Sequence, residues 1–196
     1  MEIKRLVVVE LETNCYLLIS ETELPFIEAK VKKRTKFSST YELGIIDPGG
    51  EAEKILKEVR KIKATPKYII NTHCHPDHIF ADKEIKEETG AKILIHEAEK
   101  NFIDFNPDKF LNEEDEIKIG SSILRVIHTP GHTAGSICLM GENFVFTGDT
   151  LFKNGHGRTD LPGGSQKAIE ESLEKLSRLL KPGTKVYPGH DEIFKI

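Results

Sequence analysis

Residues 67–78 constrain this chain more than any other stretch. The apolar segment Lys67-Tyr68-Ile69-Ile70 reads as a strand and runs, through Asn71, into Thr72-His73-Cys74-His75-Pro76-Asp77-His78. Three imidazoles and a carboxylate therefore sit at the C-terminal end of a strand, where layered α/β proteins collect their ligands. Pro76 keeps His75 out of the helical region and removes one backbone donor. In an extended start to the loop, His73 and His75 point to the same side and can grip one cation. If the chain then turns into a helix near Ile79, Asp77 and His78 face the same space from another angle and can grip a second. Imidazole and carboxylate donors without thiolates suit zinc, iron or manganese. A protein-bound zinc takes three or four N/O donors at about 2.0–2.2 Å, so four donors this close in sequence fit two ions better than one.

The elements around this loop alternate in type. Short apolar runs predict strands over 4–9, 15–19, 43–46, 67–70, 92–95, 117–127, 136–140, 143–147 and 185–187. Helical spacing predicts helices over 51–62, 79–89, 97–104 and 165–180, the last with Ser165 as cap and Pro182-Gly183 as stop. Residues 20–42, with Lys30-Val31-Lys32-Lys33-Arg34-Thr35-Lys36 inside them, break the pattern and read as an irregular insertion or hairpin. With no repeat, the whole of 1–196 reads as one α/β layered domain.

Three more candidate ligands occupy the same kind of position. His132 follows a strand in Thr129-Pro130-Gly131-His132, Asp149 follows Phe144-Val145-Phe146 in Thr147-Gly148-Asp149, and His190 ends Tyr187-Pro188-Gly189-His190. Each lies beside Gly or Pro, which let a chain leave a strand sharply. With the heptad they make a set of seven: His73, His75, Asp77, His78, His132, Asp149 and His190.

Composition excludes several alternatives. The net charge of −4 is a poor footing for nucleic-acid binding. No apolar run approaches the ~20 residues that span a bilayer. Cys15, Cys74 and Cys138 are odd in number and form no CxxC pair, so a disulfide framework is not expected. No cleavable leader is evident, and the expected setting is cytoplasmic, with a small molecule as partner and no nucleic acid or membrane.

The seven-residue set resembles the signature of the metallo-β-lactamase superfamily. The resemblance extends over Thr13-Asn14-Cys15-Tyr16-Leu17-Leu18, IDPGG at 46–50, the heptad, TPGHTAGS at 129–136, TGDTLF at 147–152, GRTDLPGGS at 157–165 and PGH at 188–190. It implies a four-layer αβ/βα sandwich of two mixed β-sheets flanked by helices. It implies two divalent metal ions, zinc first, with iron or manganese as alternatives. His73, His75 and His132 fall to site one, Asp77, His78 and His190 to site two, and Asp149 bridges them. An aspartate at the bridge points away from the lactamase enzymes themselves and towards the glyoxalase II-like subgroup. Six residues follow His190, so the C-terminal helical domain of full-length glyoxalase II is not expected here.

The function implied is hydrolysis of a thioester (hydroxyacylglutathione-like) or related ester by a hydroxide bridging the metals, with Asp77 and Asp149 at the chemistry. The alternative is a mononuclear-iron persulfide dioxygenase, which the Gly157-Arg158-Thr159-Asp160 segment also resembles; its single iron would take His73, His132 and Asp149. Arg158 is the first candidate for a substrate carboxylate, because its planar fork suits that group. The other reading of Arg158 is an ion pair with Asp160. His156 and Lys153 are further candidates for the substrate pocket. Thr72 and Thr147 are candidates to hydrogen-bond ligands. Cys74 reads as packed beneath the site, His96 and His128 as structural, and Cys15 and Cys138 as core.

Overall fold

The computed structural model describes residues 1–22 and 40–196. The basic segment at 30–36 lies outside the described residues. Of the stretch expected to be irregular, residues 20–21 belong to one flanking strand and 41–42 to the other, and 23–39 lie outside the described residues.

Two six-stranded sheets face each other. In the first, β1 (Glu2–Val8), β2 (Thr13–Glu21) and β3 (Tyr41–Ile46) are antiparallel, and β4 (Thr65–Ile70), β5 (Lys92–His96) and β6 (Lys109–Leu111) continue parallel to β3. In the second, the order is β12 (Phe194–Lys195), β11 (Lys185–Pro188), β10 (Phe144–Gly148), β9 (Ile137–Met140), β8 (Ser122–His128) and β7 (Glu116–Ile119). There only β10 and β11 run parallel. These are the two mixed sheets expected.

The period-two alternation of each strand builds the layers. Tyr16, Leu18, Ile46, Ile70 and Leu94 point inward and meet Ile117, Leu124, Val126, Leu139, Phe146 and Tyr187 of the other sheet. Their neighbours Leu17, Ile45, Ile69 and Ile93 point outward, under Ile55 and Val59 of α1 (Ala52–Ile62) and Ile85 of α3 (Asp82–Thr89). On the opposite outer face, Leu176 of α4 (Gln166–Leu179) packs on Ile127, Cys138, Val145 and Val186. Among the described residues, no helix is long and apolar enough to cross a membrane.

Several boundaries differ from those read in the sequence. The single strand expected over 117–127 is a hairpin, β7 and β8, because Gly120 takes φ 56 and turns the chain. The helix expected over 79–89 is two pieces, α2 (Pro76–Ile79) and α3. Pro76 can start a helix, as it lacks only a donor that the first turn leaves unpaired anyway. The Ala81 amide then donates to Pro48 O at 3.0 Å rather than continuing the ladder. The helix expected over 97–104 is one 3-10 turn at Glu97–Glu99. The short edge strands β6 and β12 carry too few residues to show a period.

The interrupted helix is held against the turn after β3. A Cβ on Gly49 would lie 1.4 Å from the carbonyl oxygen of Asp77, so only glycine permits this approach. Beneath the same region, Asn71 at the end of β4 and Asp82 at the start of α3 are both fully buried. Asn71 Nδ2 donates to Asp82 Oδ2 in a short bond, while the other oxygen of each side chain has no partner. Burial pushes the Asp82 carboxyl well above its usual range, against the Asn71 bond that lowers it, with a smaller upward push from Asp47.

A carboxyl raised in the folded state keeps its proton where the unfolded chain has lost it. The stability it contributes is complete below the unfolded value and is lost as pH rises towards the folded one. Asp82→Asn removes that loss and supplies a donor for the unpaired Asn71 oxygen. Urea unfolding should find the variant more stable than the parent at pH 8, on the order of a few kcal/mol, the linkage energy of a carboxyl that the fold holds protonated. The difference should shrink steadily towards pH 5.

Candidate metal centre

Four strand ends converge at one edge of the sandwich. His73 and His75 stand on the loop that leaves β4, and Asp77 and His78 lie in α2, directly beyond it. His132 is on the loop after β8, Asp149 follows β10, and His190 follows β11. Gly189 lets the last two strand ends meet, since a Cβ there would lie 2.2 Å from Asp149 Oδ1. All seven candidate ligands are thus brought together from segments up to 117 residues apart, as read from His73 and His190.

Their donor atoms form three overlapping groups, in each of which the atoms lie within 4.8 Å of one another. These are His73, His75 and His132; His73, His78 and Asp149; and Asp77, His78 and His190. The first three rings meet edge-on, at interplanar angles of 88°, 79° and 86°. In the last group, His78 Nε2 is 3.4 Å from His190 Nε2 and 3.5 Å from Asp77 Oδ2, and His190 Nε2 is 3.3 Å from the same oxygen. Asp149 lies between the groups. Its Oδ1 is 3.6 Å from His78 Nε2, and its Oδ2 is 3.5 Å from both His132 Nε2 and His190 Nε2.

The far nitrogens of the rings are spoken for, and this fixes which atoms face inward. His132 Nδ1 donates to the carbonyl of Arg158 at 2.7 Å, and His190 Nδ1 donates to the carbonyl of Leu11 at 3.0 Å. Thr72 Oγ1 donates to Asp47 Oδ2 at 2.8 Å, so at 3.1 Å it accepts from His73 Nδ1. Asp47 Oδ2 also lies 3.1 Å from His78 Nδ1. His73, His132 and His190 therefore turn Nε2 into the cluster, the arrangement that metal-binding histidines are given by such outer partners.

The cluster fits divalent cations. His73 Nε2, His132 Nε2 and Asp149 Oδ1 are buried and have no hydrogen-bond partner. Bare lone pairs at 3.3–3.6 Å from one another repel unless a cation or a proton lies between them. Donors bonded at about 2.0–2.1 Å to a tetrahedral ion stand about 3.4 Å apart. Electrostatics point the same way. Burial and the neighbouring imidazoles hold His73 well below its usual value, and His75 is lowered to about 4 by burial and His132. Burial also disfavours charge on His78, but Asp149 and Asp47 outweigh it and push His78 up to about 9. His190 is raised against the same penalty by its bond to Asp77 and the charge of Asp149. A cation entering the His78 and His190 group therefore displaces protons, as metal uptake generally does.

The remaining sequence candidates are placed less centrally. Arg158 is exposed and paired with Asp160 through two 2.7 Å bonds, the ion-pair reading of that segment. Its charge is the smallest of the contributions that lower His75. Lys153 pairs with Glu192 at 2.7 Å, and His156 Nδ1 bonds to the carbonyl of Gly157 at 2.8 Å. Thr147 donates to Leu151 O and makes no ligand contact, unlike Thr72. His96 and His128 stack on each other, 4.1 Å apart. Cys74 is buried beside the Glu99 carboxylate, and burial with that charge raises its thiol.

Several supporting groups carried no assigned role in the sequence reading. Asp47 stands in the IDPGG motif, whose turn character hid its carboxylate. Glu99 is fully buried and accepts from Thr133 Oγ1 and from Gly135 N, which steadies the loop bearing His132. The carbonyls of Leu11 and Arg158 have no side-chain signature at all.

Known proteins share this architecture. Residues 44–190 match the family model of the metallo-beta-lactamase superfamily. The probable metallo-hydrolase YqgX of Bacillus subtilis is 32% identical, over 97% of this chain and 90% of its own length. The hydroxyacylglutathione hydrolase GloC of Haemophilus influenzae is 33% identical, over 78% of this chain and 77% of its own. Among solved structures, the B3 metallo-beta-lactamase BLEG-1 superposes with a TM-score of 0.84 at 27% identity, covering 99% of this chain and 94% of that one. ETHE1 from Myxococcus xanthus superposes with a TM-score of 0.80 at 29% identity, covering 100% of this chain and 80% of that one. With its two mixed sheets and a His/Asp cluster suited to divalent metals, the chain belongs to the metallo-β-lactamase superfamily, a metallo-hydrolase by fold and by donor set.

Proposed function

We propose that this protein hydrolyses a thioester of the hydroxyacylglutathione kind, or a related ester, with two divalent ions, zinc in the first place. The observation that carries the reading is the pair of donor groups, His73/His75/His132 and Asp77/His78/His190, with the two oxygens of Asp149 turned to both. Two metals held this close supply a hydroxide nucleophile at neutral pH and an electrophile for the carbonyl oxygen. The likeness to GloC supports the thioester as the substrate class.

The chain's own residues then do the following. His73, His75 and His132 would hold one ion, Asp77, His78 and His190 the other, and Asp149 would serve as a ligand to both. The Arg158 carbonyl and Thr72 keep His132 and His73 in the tautomer that binds. Arg158 can exchange Asp160 for a substrate carboxylate. His156 and Lys153, in the same loop, complete that side of the pocket. No serine or cysteine nucleophile is needed, and Cys74, with its raised thiol, is unsuited to be one.

A second reading has its own support. The Gly157-Arg158-Thr159-Asp160 segment, which resembles that of persulfide dioxygenases, favours such an enzyme with one iron on His73, His132 and Asp149. Metal analysis of protein purified without added metal separates the two. About two ions per chain, together with turnover of S-lactoylglutathione, is the expected result. One iron per chain, no uptake of a second ion and oxygen consumption with glutathione persulfide would overturn the hydrolase reading.

Asp77→Ala should reduce the content from two ions to one. Its kcat/KM for the thioester should fall by at least the roughly 100-fold that changes around metal ligands produce. Circular dichroism should show the fold retained, and elemental analysis reads the loss directly.

A further inference from the structure

The two donor groups are supported by different parts of the chain. Site one leans on the loops that carry it: His73 on Thr72, and His132 on the Arg158 carbonyl. Site two leans on one short stretch, residues 11–16, at the start of β2. The Leu11 carbonyl accepts from His190 Nδ1 at 3.0 Å. Thr13 Oγ1 donates to Asp77 Oδ2 at 2.8 Å. The Asn14 amide donates to Gly189 O at 2.7 Å, and Asn14 Nδ2 donates to Pro188 O at 2.9 Å and to Asp191 O at 3.0 Å. Tyr16 donates its phenol proton to Pro188 O at 2.7 Å. Among the described residues, no hydrogen bond from this stretch reaches His73, His75 or His132.

Strand alternation explains how one segment serves both sides of the pocket. Thr13 faces the helical layer and meets α2. Asn14 and Tyr16 face the opposite sheet and meet the end of β11. Thr13, Asn14 and Tyr16 are at most 1% exposed, so their own ends of these bonds lie away from water. The oxygen that Thr13 holds is the one facing both His78 and His190. The Asp77 side chain keeps some access to solvent, so without the hydroxyl it can rotate away.

We propose that Thr13 is a positioning residue for the second ion alone, seconded by Asn14 and Tyr16, and that this stretch sets the occupancy of site two independently of site one. The proposal rests on the two-ion reading above. Its physical content is that the Asp77 carboxylate and the 188–190 backbone are aimed by hydrogen bonds that site one does not share.

Zinc titration of metal-free protein tests it, with stepwise affinities measured by chelator competition. The parent should take two ions in two resolved steps, and Asp77→Ala, losing one of them, identifies the step that belongs to site two. Thr13→Val keeps the shape and removes the hydroxyl. It should weaken that step by about 10–100-fold, the range for outer-shell partners of metal ligands, and leave the other within about two-fold. Thr13→Ser restores the hydroxyl and should restore the step. Tyr16→Phe should act on the same step, by about 10-fold, and stands in if Thr13→Val does not fold. Equal weakening of both steps, or of neither, in a parent that binds two ions overturns the proposal and leaves the two-ion reading intact. A parent that takes one ion only overturns the two-ion reading itself, and the proposal with it.

Discussion

One buried carboxylate ties the two halves of the centre to the fold. Asp47 leaves β3 at φ 51 and is 1% exposed. Its Oδ1 accepts the Thr72 amide at 2.7 Å, and its Oδ2 accepts the Thr72 hydroxyl and lies beside His78 Nδ1. Removing a carboxylate from water costs several kcal/mol unless it is well paired. Here the partners lie at the end of β4 and in α2, so the charge is stabilised only when the strand end, the loop and the interrupted helix are all in place. Through Thr72 it orients His73, a site-one donor; directly, it orients His78, a site-two donor. The closeness that Gly49 permits between the turn and Asp77 serves the same assembly.

The cluster brings together groups that resist one another without a cation. His73 and His75 are depressed, by burial first and then by their neighbours, whereas His78 and His190 are raised by carboxylates that outweigh the same burial. The division follows the donors: three imidazoles with no carboxylate of their own on one side, two imidazoles with Asp77 and Asp149 on the other. Those carboxylates favour a proton on His78 and on His190 against the burial that disfavours it. Metal uptake at the carboxylate-rich side therefore competes with protonation, while uptake at the imidazole side does so little at neutral pH.

How far this was legible in the sequence depends on which atoms carry the information. Side chains at strand ends could be read: all seven candidate ligands meet, because each group follows an apolar run, and His132, Asp149 and His190 also follow a Gly that turns the chain. The layered fold was legible from alternation and periodicity. Boundaries were not, where the deciding interaction is distant. Nothing near Phe80 announces that the Ala81 amide bonds to Pro48 and breaks the helix. Gly120 was a visible turn signal, but the β-rich residues on both sides of it hid the hairpin. The supports of the ligands were the least legible, because half of them are main-chain carbonyls. Arg158 shows this most clearly: its guanidinium drew attention, yet the group that contacts a candidate ligand is its carbonyl oxygen, against His132.

That division bears on how one set of seven residues can serve more than one chemistry. A donor set fixes which ions can bind, while the partners behind it decide how firmly each is held, since an outer bond changes both the aim and the basicity of a ligand. In this chain the His73/His75/His132 group is aimed by Thr72 and by the Arg158 carbonyl on the loop after β10, the Asp77/His78/His190 group depends on the start of β2, and Asp47 serves both through Thr72 and His78. The two groups meet at Asp149, whose oxygens reach both, and at the His73 and His78 rings, 4.1 Å apart. Substitutions in the first strands can therefore loosen one group while the shared aspartate and the other three imidazoles stay in place, without the loss of any ligand.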